Sequence, residues 1–72
     1  MKELHEAVKE YLEPAQMVLA GFVVSGPVAF VLVRASLGDF SLQLIRGPEG
    51  WTVTDELEAG DYYAHGGKEV PR

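Results

Sequence analysis

Cysteine is absent from the 72 residues, and so is asparagine. Without thiols there is no disulfide framework, no thiolate zinc site and no cysteine nucleophile. The missing asparagine, with only two glutamines, resembles the avoidance of labile residues in thermophilic proteins. Positive charge is scarce: six Lys and Arg stand against eleven Asp and Glu, a net charge of −5. Binding along a phosphate backbone needs clustered Lys and Arg, so nucleic acid is not an expected partner. No basic stretch precedes an apolar run at the N-terminus, which argues against a signal peptide and makes the cytoplasm the expected compartment. One uncharged run of 20 residues lies between Glu13 and Arg34, long enough to span a bilayer. Ser25-Gly26-Pro27 interrupts it with a turn signal, and the Val-rich segments on either side suit strands, so no membrane partner is expected.

The charges that are present are unevenly placed. Residues 1–13 sum to −2, residues 14–48 to +1 and residues 49–72 to −4. In the first segment Leu4, Val8, Tyr11 and Leu12 recur at helical spacing with Ala7 beside them, while Glu3, Glu6, Lys9, Glu10 and Glu13 take the other side. This predicts a helix over 2–13, stopped by Pro14. Strands follow over 17–24, 28–36, 39–46 and 51–57, separated by Ser25-Gly26, Leu37-Gly38 and Gly47-Pro48-Glu49-Gly50. Connections this short allow only an antiparallel meander. The expected fold is α+β: an N-terminal helix packed on one face of a four-stranded antiparallel meander sheet. The domain is expected to span 1–65, with 66–72 a flexible C-terminal tail rich in glycine.

With those loops, one face collects Val18, Ala20, Phe22, Ala29, Val31, Val33, Phe40, Leu42, Leu44, Trp51 and Val53, the natural seat for the helix. The opposite face divides in two. On the third and fourth strands it reads Asp39, Ser41, Gln43, Ile45, Thr52, Thr54 and Glu56, a solvated surface. On the first two it reads Met17, Leu19, Gly21, Val23, Val28, Phe30 and Leu32. That half would expose about 500 Å² of apolar surface, near the limit for a soluble monomer. The first strand is also an uncharged, proline-free edge, open to pairing with another strand. A chain this small has little core and no disulfide, so oligomerisation is the expected source of extra stability. Leu19, Val23, Val28, Phe30 and Leu32 are therefore the expected interface of a homodimer.

Chemistry-bearing residues are few. His5 reads as a solvated helix residue, and His65 sits among glycines with Asp61, Tyr62 and Tyr63, which does not make the rigid three- or four-ligand frame a metal needs. Tyr62-Tyr63 is expected to add a short fifth strand or to cover a core edge. Asp55, Glu56 and Glu58 alternate along a strand, so neighbouring carboxylates point apart and only Asp55 turns inward. No phosphate loop or nucleophile elbow is present, and no catalytic residue, metal or cofactor is assigned. Gly-Asp-Phe-Ser-Leu at 38–42 followed by Gly-Trp-Thr-Val-Thr-Asp-Glu at 50–56 resembles the sheet half of cystatin-like and nuclear-transport-factor-like domains, over residues 28–57. The resemblance implies a concave sheet with a pocket under the helix, and often a dimer. It transfers no catalytic residue.

Two functional expectations follow. The first is an interaction module whose partner is itself or another protein. The second is a binding or enzymatic domain with an apolar pocket between helix and sheet, taking an apolar small molecule against Tyr11, Trp51 and Asp55.

Overall fold

The computed structural model describes residues 3–12 and 17–68. Its elements are α1 (Leu4–Leu12), β1 (Val18–Ser25), β2 (Val28–Ala35), β3 (Gly38–Gly47), β4 (Gly50–Glu58) and α2 (Ala59–Ala64). The strands form one antiparallel sheet in the order β1-β2-β3-β4. The α+β meander expected from the sequence is what forms, with one added helix. Pro14, the expected stop of α1, lies outside the described residues.

Three two-residue turns join the strands. The first is Gly26-Pro27, with Gly26 at φ +58, and the second is Ser36-Leu37. Both sit one residue along from the expected loops. Each shift moves the cross-strand pairing by two residues, for example Phe22 onto Val31 and Val33 onto Phe40. An even slip keeps every side chain on its face, so the inner set survives it. The third register is as expected, with Leu44 opposite Val53 and Arg46 opposite Trp51.

Two irregularities do change faces. In β1 the register shifts between Leu19 and Gly21. Leu19 turns inward against Val33 and joins the main core, while Val18 and Ala20, expected inside, turn outward. The exchange packs a half-buried leucine against the inner core in place of two smaller side chains. In β4 the register shifts beside Thr54, so that Gln43 opposes Asp55 and Ser41 opposes Leu57. A regular strand would have placed Glu56 on the outer face and Leu57 on the inner one. The shift sends Leu57 outward to an apolar cluster and leaves the carboxylates exposed. Burying an unpaired carboxylate costs far more than a bulge.

The inner face and α1 share the main core: Ala7, Val8, Leu12, Ala29, Val31, Val33, Leu42, Leu44 and Trp51 are buried, with Leu4, Met17, Phe40 and Val53 packed around them. On the outer face Phe30 and Leu32 are buried under Tyr62, flanked by Ala20, Val23, Val28, Leu57 and Ala59. The cover is α2, which follows β4 without a break. Tyr62 is 2% exposed. Ser41 is fully buried beneath this layer and donates a hydrogen bond to the Glu58 carbonyl at 2.7 Å, tying β3 to the point where β4 becomes α2. Tyr62-Tyr63 thus forms a covering helix rather than a fifth strand.

The end of α2 is held by its own backbone. The Gly67 N–H bonds the Tyr62 carbonyl at 3.0 Å and the Gly66 N–H bonds that of Tyr63 at 3.1 Å. This is the Schellman pattern, and it needs Gly66 at φ +95. The Tyr62 hydroxyl donates to the Lys68 carbonyl at 3.1 Å. Gly66, Gly67 and Lys68, read from the sequence as the start of the tail, are thus hydrogen-bonded to α2; residues 69–72 lie outside the described residues.

The three glycines of this segment respond in opposite directions to one added methyl. A Cβ at Gly67 would overlap the Tyr62 ring, whereas one at Gly60 meets nothing. Gly67→Ala should cost about 1–3 kcal/mol, and Gly66→Ala about 1–2 kcal/mol because its positive φ disfavours any L side chain. Gly60→Ala should stabilise by up to about 1 kcal/mol through helix propensity. At about 4–8 °C per kcal/mol for a domain of this size, thermal melts followed by circular dichroism resolve all three signs.

Candidate functional site

Two of the three expected pocket residues meet. Tyr11 of α1 and Trp51 of β4 line an open groove of about 450 Å³, together with Ala7, Glu10, Glu49, Thr52 and Val53. Asp55 is not among them. The shift at Thr54 places Asp55 opposite Gln43 on the outer face, and Glu56 takes the inner position. There the Tyr11 hydroxyl donates to Glu56 Oε2 at 2.8 Å. Arg46 lies over the Trp51 ring, 5.9 Å from its centroid. The groove runs along the rim between helix and sheet. Beneath the helix itself Val8, Leu42 and Leu44 are packed to zero exposure.

The Tyr11–Glu56 contact joins the helix to the end of β4 across a separation of 45 residues. It raises the Tyr11 phenol above its ordinary value, first because the hydrogen bond to Glu56 holds the proton, then through burial and the Glu56 charge. A phenol raised in the folded state favours the neutral form. The contact therefore contributes fully below the unfolded phenol's titration near 10 and is lost as pH rises through the raised value.

The expected interface residues occupy three environments. Phe30 and Leu32 are buried, 7% and 0% exposed, because Tyr62 lies on them. His65 extends the cover: its ring stacks on Phe30 at 3.9 Å and 12°, and its Nδ1–H donates to the Asp61 carbonyl at 2.7 Å. Val23 and Val28 flank this cluster, half-buried. Leu19 belongs to the inner core. The outer half-face that looked open in the sequence is therefore covered from within the chain.

What stays exposed is the edge. Val18, Phe22 and Val24 of β1 are 64%, 41% and 55% exposed. Phe22 and Val24 share the inner face at its uncovered margin, opposite Val31 and Ala29, and the His5 ring lies 6.0 Å from that of Phe22. Among the described residues β1 has β2 on one side and no strand on the other. Ala59 and Tyr62 at helical spacing, with glycines directly after the helix, were the signal that α2 left in the sequence. Six residues carry too little periodicity to stand out from a loop.

Replacing Tyr11 by Phe removes the hydrogen bond and leaves the ring. The loss at neutral pH should be small, under about 1 kcal/mol for an exposed pair. Above pH 10 the parent should lose stability through this group while Tyr11→Phe does not, so urea midpoints measured from pH 8 to 11 should converge. No protein family, curated protein or solved structure matches the chain.

Proposed function

We propose that this protein is a self-associating interaction module, and that its working surface is the β1 edge. The observation that carries this reading is the contrast between covered faces and a bare edge. Helices lie on both sides of the sheet, yet a strand without any ionisable side chain from Val18 to Ser25 presents three exposed apolar residues. Edge strands are normally blunted by charge or proline, since an open row of N–H and C=O groups recruits another strand. Tyr11 and Trp51 offer the competing small-molecule reading only an open groove rimmed by Glu10 and Glu49.

The magnitudes point to a weak complex. Burying the exposed halves of Phe22 and Val24 offers about 1 kcal/mol each, doubled across two copies. A short ladder adds about 1 kcal/mol for each hydrogen bond. Association costs about 4–15 kcal/mol, so a favourable balance of a few kcal/mol remains only at the low end of that cost, and the Kd falls at about 0.1–1 mM.

Sedimentation or light scattering from about 10 μM to 2 mM should show the mass rising toward double, and the melting temperature should rise with concentration in the same range. Phe22→Lys and Val24→Lys should each give a monomer that still folds. Leu37→Lys, at a fully exposed turn residue, should leave the dimer intact. A monomer throughout that range would refute the reading.

A further inference from the structure

We infer that the second copy joins β1 antiparallel to β1 about a twofold axis through Val23, so that two sheets run on as one of eight strands. This rests on β1 being the self-associating surface, and it adds which strand is met and in what register.

The two edges of the sheet differ in charge. β4, the other edge, carries Asp55, Glu56 and Glu58, all exposed, with Glu49 in the turn before it. Pairing β4 with its own copy would set these carboxylates against one another. Pairing β1 with β4 of the next copy would leave a free edge at each end and grow without limit. Pairing β1 with β1 closes after two copies and brings no carboxylate into the ladder.

The register follows from the irregularity in β1. Its pairing with β2 is regular from Gly21 to Ser25 and broken before that. A twofold axis must sit at the middle of the segment that pairs, which is Val23. Phe22 of one copy then faces Val24 of the other, twice, on the inner face. This matches an aromatic ring to a β-branched side chain, a favourable cross-strand pair. Both residues are exposed in the single chain and would be buried together. The axis is normal to the sheet, so both α1 helices fall on one face and both α2 helices on the other.

The absence of native cysteine makes each introduced thiol a unique reporter. Val23→Cys should cross-link to itself in mild oxidant or with a short thiol–thiol linker, to well over half of the chain at concentrations where the parent is dimeric. Val18→Cys should not. Because Val23 packs beside Phe30, the double variant Phe22→Cys/Val24→Cys, altered only at exposed positions, provides the second arm and should give a doubly linked dimer. Cross-linking at 18 alone, or none in a sample that is dimeric by mass, overturns the register and leaves self-association standing. A sample that is monomeric by mass overturns the functional reading and this inference with it.

Discussion

A sheet with apolar side chains on both faces must be covered on both, and in this protein that requirement rests on one ring. Tyr62 lies over Phe30 and Leu32, its hydroxyl reaches the Lys68 carbonyl, and the Gly66-Gly67 turn wraps against it. Removing a buried aromatic costs about 3–5 kcal/mol, comparable to the whole net stability of a domain this size. The second helix is thus a structural layer in its own right.

The bulge in β4 is best understood from that layer. Leu57 must point outward to meet α2, and the acids on either side of it must not. One extra residue, Thr54, reverses the alternation and satisfies both. It also brings Glu56 within hydrogen-bond reach of Tyr11 and so links the end of β4 back to α1. Ser41, buried and bonded to the Glu58 carbonyl, holds the junction where strand becomes helix. These contacts couple the two helices through the strand that lies between them.

Once both faces are covered, the remaining asymmetry is between the edges. The acidic third of the chain supplies β4 and its neighbours, and the uncharged stretch supplies β1. An acidic edge repels its own copy while an uncharged one does not. The unequal charge along the sequence therefore becomes a directional property of the folded sheet.

Local patterning determined α1, the four strands, their antiparallel order and the inner face of β2, β3 and the first half of β4, because periodicity and short turns act over neighbouring residues. The first two turns sit one residue from the positions that local patterning marks, and because the resulting slips are even the faces are unchanged. Sequence patterning also marked Leu19, Val23, Val28, Phe30 and Leu32 as an apolar surface in need of cover. What covers it was decided by tertiary structure. The six residues of α2 are too few to form a helix without a surface to rest on, and that surface is assembled from β2 and β3. The bulges, which moved Leu19 inward and Asp55 out of reach of Tyr11, were likewise invisible locally. A strand exchanges its faces only when what lies above and below it makes the exchange favourable.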